Sequence, residues 1–247
     1  MRHKTFQRLA ILAAFAGSIF AVDASSAGAQ LGRTAADVAE PGEETCFGRR
    51  PTIRGTERAD ELQGTAGRDV IAAGDGNDLV DGMGGDDLIC GGAGDDFVSG
   101  GDGRDQIDGG PGEDGLYGRD DADVVFGGPG NDELTGGGGD SGADILMGGS
   151  GNDYLLAQNG NDRLIGGSGD DTLQGDGGED RENGGPGDDL VTGDMGNDDL
   201  RGGAGDDRIF GNDSDDHLDG MSGTDTLNGG YGGDTCVGGE SDVACER

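Results

Sequence analysis

Large apolar residues recur along the chain at a strict spacing of nine residues, with glycine and polar residues between them. The period runs unbroken from Ile53 to Leu134, slips by three residues inside 135–143, and resumes at Leu146 as far as Cys236. Glu182 is the only charged residue at these positions. A fixed period of this kind is typical of repeat architectures, in which each repeat is one unit that stacks on its neighbours.

The polar positions follow the same period. An aspartate stands two residues before each apolar position, and glycine dominates seven, six and four residues before it, so the repeat reads G-G-x-G-x-D-x-U-x with U apolar. The aspartates are Asp60, Asp69, Asp78, Asp87, Asp96, Asp105, Asp114, Asp123, Asp132, Asp144, Asp153, Asp162, Asp171, Asp180, Asp189, Asp198, Asp207, Asp216, Asp225 and Asp234.

This phrase resembles the nonapeptide of the RTX, or hemolysin-type, calcium-binding repeat proteins, over about three quarters of the chain. One repeat cannot bury its single apolar side chain alone, so two consecutive repeats are expected to form one flattened coil. We predict an all-β fold, a parallel β-roll solenoid of about twenty repeats with two repeats per coil. Each repeat should divide into a six-residue turn and a three-residue strand.

The resemblance implies that the aspartates bind several Ca²⁺ ions. Stacking at 18-residue spacing places the aspartates in two columns, where like charges repel unless cations lie between them. Carboxylates from turns n and n+2, completed by glycine carbonyls, suit a hard ion that takes six to eight oxygens. Magnesium prefers tighter geometry and zinc prefers His or Cys, so calcium is favoured. Because each repeat buries little apolar surface, we expect calcium binding and folding to be one event.

The N-terminus has the pattern of a signal peptide over residues 1–29. Basic residues precede an apolar run at 9–22, and Ala-Gly-Ala at 27–29 matches a cleavage site. The run is short for a membrane span, although a retained anchor or a lipidated end stays an alternative. We therefore predict a secreted, extracellular protein that begins near Gln30 and has no membrane span in the mature chain.

The remaining chain divides into a linker or cap at 30–51, the RTX-type roll at 52–238 and a C-terminal cap at 239–247. Residues 1–29 hold three of the 16 Lys and Arg and one of the 52 Asp and Glu, so the mature net charge is 13 − 51 = −38. Such a charge repels nucleic acid and anionic lipid and attracts cations. Nucleic acid is therefore excluded as a partner.

Four cysteines in an exported chain indicate disulfides, for which three connectivities exist. Cys236 and Cys245 are one repeat apart at apolar positions, and we favour this pair together with Cys46–Cys90. Metal ligation and free thiols are the alternatives.

Most outward strand positions are polar, but a group near the slip is not. The group, here called the outer apolar stripe, consists of Val124, Phe126, Ile145, Met147 and Ile165. It indicates either a surface for a protein partner or for self-association, or a strand face covered by the inserted loop. The insertion should bulge outward and interrupt one ion column.

The sequence does not indicate an enzyme. It lacks H-E-x-x-H and G-x-S-x-G, and the mature chain has one histidine, His217, at an outward position. A glycosidase carboxylate pair is conceivable, but the carboxylates are assigned to the ion columns. We predict a secreted calcium-binding repeat protein; the alternatives are a calcium-dependent adhesin or self-assembling matrix protein, and an effector of unrecognised activity.

Overall fold

A computed structural model describes residues 45–137, 142–238, 241–242 and 245, all within the unit Asp37–Arg247. The predicted signal peptide, most of the segment 30–51, the centre of the insertion at 138–141 and part of the segment 239–247 lie outside the described residues. Within the described ranges no helix is long and apolar enough to cross a membrane.

The chain forms two parallel sheets of 11 strands each, and consecutive strands alternate between them. The first sheet contains β1 Ile53–Arg54, β3 Val70–Asp75, β5 Leu88–Ala93, β7 Gln106–Asp108, β9 Val124–Pro129, β11 Ile145–Ser150, β13 Arg163–Ser168, β15 Arg181–Pro186, β17 Asp199–Ala204, β19 His217–Ser222 and β21 Thr235–Val237. The second sheet contains β2 Glu61–Gln63, β4 Leu79–Asp81, β6 Phe97–Asp102, β8 Gly115–Asp120, β10 Glu133–Gly137, β12 Tyr154–Asn159, β14 Thr172–Gly177, β16 Leu190–Met195, β18 Arg208–Asp213, β20 Thr226–Tyr231 and β22 Ser241–Asp242.

The register of the strands repeats every 18 residues, so each coil contains two repeats, one in each sheet. Ile71 pairs with Ile89, and Ile89 pairs with Ile107. The apolar position is fully buried in almost every repeat and forms one core cluster between the sheets. The parallel β-roll of about ten coils predicted from the period is confirmed.

The strands are longer than predicted. Most of them span six residues, as in Leu88–Ala93, and include the first two glycines of the next repeat. Ile89 and Gly91 both face the interior and are buried. The prediction of three-residue strands was wrong because the glycine backbone continues the hydrogen bonds between coils, with the amide of Gly92 donating to the carbonyl of Gly109 at 2.9 Å.

The turns depend on left-handed backbone conformations. Gly92 has a φ of 109°, and a Cβ on it would run into the carbonyl oxygen of Gly74. Where a turn glycine is replaced, the backbone keeps the same conformation, as at Gln158 with φ 81° and Ser214 with φ 92°. Stacking therefore imposes the turn shape on residues that disfavour it.

The insertion does not disturb the register. Across it the separation of paired residues becomes 21, so Ile145 pairs with Val124 and Tyr154 pairs with Glu133. Because the extra residues lie between the end of β10 at Gly137 and the start of β11 at Ile145, the side chains of the strands before and after the slip point in the same directions as elsewhere in the roll.

Both predicted disulfides are present: Cys46–Cys90 with Cα atoms 5.6 Å apart, and Cys236–Cys245 with Cα atoms 6.0 Å apart. Cys46 is fully buried in a small second cluster with Ala72 and Leu88, on the outer face of the first sheet. The chain before the roll is thereby fixed to β3 and β5.

Candidate metal centres

The predicted aspartates lie at the bends between strands and face inward. All of those from Asp69 to Asp234 are buried, and Asp60 at the end of the roll is half-buried. The roll places successive members 18 residues apart in two columns, as predicted. The fold therefore holds an unusual number of carboxylates away from bulk water.

One oxygen of each carboxylate joins the coils. The amide of Asp78 donates to Oδ1 of Asp96 at 2.8 Å, and the amide of Asp96 donates to Oδ1 of Asp114 at 2.8 Å. This aspartate ladder has two columns, which run from the amide of Asp60 to the carboxylate of Asp225 and from the amide of Asp69 to the carboxylate of Asp234, with N···O distances of 2.7–3.0 Å. Asparagine would make the same bond, so the ladder alone does not require a charge.

The ladder crosses the insertion without a gap. The amide of Asp123 donates to Oδ1 of Asp144 at 2.8 Å, and the amide of Asp132 donates to Oδ1 of Asp153 at 2.9 Å. The carboxylates of both columns therefore continue across the insertion, and the expected interruption of an ion column there stays a prediction.

The second oxygen is different: in most repeats Oδ2 is buried and accepts no hydrogen bond. This holds for Asp78, Asp87, Asp96, Asp105, Asp114, Asp123, Asp132, Asp153, Asp162, Asp171, Asp180, Asp189, Asp198, Asp207, Asp216 and Asp234. A buried oxygen without a partner is costly, so a row of them would be stabilised by a group that can satisfy them.

The first two aspartates do not share this property. Oδ2 of Asp60 accepts from the amide and hydroxyl of Thr56 at 2.6 and 2.8 Å. Oδ2 of Asp69 accepts from the same groups of Thr65 at 2.7 and 2.9 Å. Threonine replaces a turn glycine in both repeats, so these carboxylates are satisfied within the chain and are the weakest candidates for an ion.

Backbone oxygens lie beside the unpartnered carboxylate oxygens. The position that a Cβ would take on Gly91 is 2.5 Å from Oδ2 of Asp96 and 2.7 Å from the carbonyl oxygen of Gly109. Carboxylate and carbonyl oxygens are ligands for a hard cation such as Ca²⁺. Among the described residues, no group of three or more His, Cys, Asp or Glu side chains is arranged to hold a metal. Carbonyls or waters would therefore have to complete any site.

Burial raises the pKa of many of these carboxyls. For Asp123 the pKa rises to about 8, mainly through burial and further through the carboxylates of Asp105 and Asp144, while the hydrogen bond from the amide of Asp105 opposes the rise. The pKa rises to about 7 at Asp105, Asp114, Asp171, Asp180 and Asp216, and to about 6 at Asp87, Asp96, Asp132, Asp162 and Asp207. The metal-free fold thus opposes the ionised state, which a cation would favour.

The structure also contains a second ladder of hydrogen bonds, which the sequence analysis did not predict. The Asp or Asn that precedes the column aspartate accepts, through Oδ1, from the amide 18 residues later, as Asp170 does from Asp188 at 3.0 Å and Asp188 from Asp206 at 2.9 Å. This ladder runs along the exposed edge, in the direction opposite to the first. Its signal was the recurrent Asp-Asp and Asn-Asp pairs.

Fold and site together define a parallel β-roll whose buried carboxylates and turn carbonyls suit hard cations. The family model for the RTX calcium-binding nonapeptide repeat matches residues 54–89, 81–116, 108–141, 117–155, 138–173, 156–191, 174–209, 192–227 and 210–242. The chain therefore belongs to the RTX calcium-binding nonapeptide repeat family. No curated protein matches the chain.

Proposed function

We propose that this chain is a secreted calcium-binding protein whose roll folds as its aspartate columns bind Ca²⁺. The observation that carries the proposal is the buried, unpartnered Oδ2 atom in repeat after repeat, beside glycine carbonyls. An ion that bridges successive coils there would satisfy these oxygens and neutralise the column.

Apolar burial stabilises the metal-free roll only modestly, and its buried charges oppose folding. Each repeat contributes one large side chain to the core, whereas its glycine-rich turn loses much conformational freedom on folding. The metal-free roll at neutral pH also carries buried carboxylates whose ionised form is disfavoured. Calcium removes the electrostatic opposition and adds its binding free energy to folding.

The test is a calcium titration followed by calorimetry and far-UV circular dichroism on the same samples. We expect a disordered spectrum in EDTA, a strand spectrum with calcium, and heat released over the same concentration range. Magnesium serves as the control ion and should be much less effective. A full strand spectrum in excess EDTA at neutral pH would refute the coupling, and an absence of calcium uptake would refute calcium binding itself.

Export is the second part of the proposal. The signal-peptide pattern at residues 1–29 supports it, as do two disulfides, because such bonds persist in oxidising compartments. N-terminal sequencing of protein from the culture medium should give a first residue near Gln30. Full-length chain retained in the cells would contradict this part without affecting calcium binding.

A calcium-dependent adhesin or matrix role is the second candidate, and the outer apolar stripe favours it. Ile145 pairs with Val124, and Met147 lies between Phe126 and Ile165, so the five side chains form one half-buried patch on β9, β11 and β13. The occupant we test is a second copy of this chain, since calcium would reduce the repulsion between two strongly acidic rolls.

Light scattering during the calcium titration tests the candidate. Assembly that is lost in the variant I145T/M147T supports it, whereas a compact monomer at all calcium concentrations rejects it. The absence of enzymatic activity stays a prediction.

A further inference from the structure

Glu182 occupies a core position that is apolar in every neighbouring coil. It lies on β15, in register with Leu164 on one side and Leu200 on the other. Its side chain is 2% exposed, and neither carboxylate oxygen makes a hydrogen bond. A carboxylate in such surroundings is strongly destabilising unless another group satisfies it.

The side chain of Glu182 points to a place where other oxygens already converge. Gly175 lies in the opposite sheet, and the position that a Cβ would take on it marks this place. Oε1 of Glu182 lies within 2.6 Å of that position, and so does Oδ2 of Asp180. The carbonyl oxygen of Gly193 lies 3.0 Å from the same point. The two carboxylate oxygens are thus no more than about 5 Å apart. An ion with Ca–O distances of about 2.3–2.6 Å bridges oxygens up to about 5 Å apart.

The corresponding points in the adjacent coils hold fewer oxygens. The atoms nearest to the points beside Gly166, Gly184 and Gly193 include one carboxylate each, from Asp171, Asp189 and Asp198. The residues that correspond to Glu182 in those repeats are apolar, namely Leu173, Val191 and Leu200. The coil of Gly175 therefore differs from its neighbours by one unpartnered, fully buried carboxylate aimed into the same space.

The surroundings do not supply another partner for the charge. The nearest charges are the carboxylates of Asp180, Asp198 and Asp194, and the amide of Thr192 interacts with Glu182 without forming a hydrogen bond of good geometry. No cationic side chain contributes.

We propose that Glu182, Asp180 and the carbonyl of Gly193 together bind one divalent cation of the calcium type within the roll. The inference rests on the proposed function, because it assumes that calcium reaches the aspartate columns. It differs from the general repeat site in that one ligand comes from the core position and crosses between the two sheets.

The test locates the ion directly, with calcium as the probe. Crystals of the full mature chain grown in calcium should show an anomalous-scattering peak between Asp180 and Glu182 in the wild type. With limiting calcium, the variant Glu182→Gln should reduce this peak to the height of the peaks beside Asp171 and Asp189, which should be the same in both proteins. In solution, the calcium retained per chain after gel filtration at a limiting free calcium concentration should fall by up to one ion.

The exposed neighbour Glu179 supplies the matched control, since Glu179→Gln removes the same charge three residues away and should retain the ion. If Glu182→Gln does not fold, Glu182→Leu restores the apolar residue of the other repeats and gives the same readouts. A wild type without calcium anywhere refutes the proposed function. Calcium at the other aspartates but none at Glu182, or an unchanged peak in either Glu182 variant, overturns this inference alone.

Discussion

Replacing Asp171 by asparagine separates the two tasks of a column aspartate. Oδ1 of Asp171 accepts from the amide of Asp153 at 2.8 Å, and the carbonyl oxygen of an asparagine would keep that bond. Oδ2 is buried and unpartnered, and asparagine replaces it with an uncharged NH₂ group. The substitution therefore preserves the ladder and removes one ion ligand.

The sign of the effect should depend on calcium. Without calcium, burial raises the pKa of Asp171 to about 7. The hydrogen bond from the amide of Asp153 opposes this rise, and neighbouring carboxylates add to it. At pH 8 the ionised group opposes folding by on the order of 4 kcal/mol before screening, and by about 1–2 kcal/mol with screening at the bend. The uncharged asparagine removes this penalty. With calcium at about 100 times its dissociation constant, losing one ion destabilises the roll by about 2.7 kcal/mol.

The assay is far-UV circular dichroism at pH 8, by thermal unfolding in calcium and by folding with trimethylamine N-oxide in EDTA. The variant should melt earlier in calcium yet fold at a lower osmolyte concentration in EDTA. Asp170→Asn is the control, because Asp170 is exposed and its ladder bond to the amide of Asp188 also survives. A shift of the same sign in both conditions would refute the assignment of Oδ2 as an ion ligand.

Three further results are expected. Because the column carboxyls have raised pKa values, their stabilising effect on the metal-free roll is present below about pH 4 and lost as pH rises through about 6–8. Acidification in EDTA should therefore increase the strand signal in circular dichroism. No gain between about pH 8 and pH 4 would contradict this. Ser214→Gly relieves the strain of a residue with a φ of 92° and should stabilise the calcium-bound roll by about 0.5–1 kcal/mol in thermal melts. The control Ser168→Gly changes a residue without positive φ and should destabilise the roll by a similar amount. Equal effects of the two substitutions would refute backbone strain at Ser214. Replacing Cys46 and Cys90 by serine opens a loop of 44 residues and should lower stability by about 4 kcal/mol on a chain-entropy estimate, so an unchanged melting temperature would contradict a structural role for this bond.

Much of the fold was predictable because the nine-residue period along the chain determines how the coils stack. An apolar residue such as Ile89 every nine residues, with glycine at set offsets, leaves stacked coils as the way to bury that residue. Strand length was not predictable in the same way, because Gly91 and Gly92 read as turn residues. They join β5 since their amides and carbonyls meet the neighbouring coils, and sequence does not display that pairing.

The residue types and positions of the candidate site were predictable from the sequence. Which carboxylate oxygens are hydrogen-bonded and which are left to bind an ion was not. The repetition of aspartate at one offset indicated ion ligands, but it treated all positions alike. The structure separates Asp60 and Asp69, which threonines satisfy, from aspartates such as Asp96 with a free buried oxygen. Glu182 appeared in the sequence only as an exception, whereas its approach to the carbonyl of Gly193 requires the opposite sheet to be in place.

The amino-acid sequence by itself determined the repeat, the coil of 18 residues, the inward side chains and the carboxylate columns, because each of these follows from a spacing along one chain. Only the tertiary structure decided which oxygens are hydrogen-bonded, which are buried without a partner, and where Glu182 meets the carbonyl of Gly193. Those properties depend on atoms that lie in neighbouring coils or in the other sheet, and their distances are set by stacking.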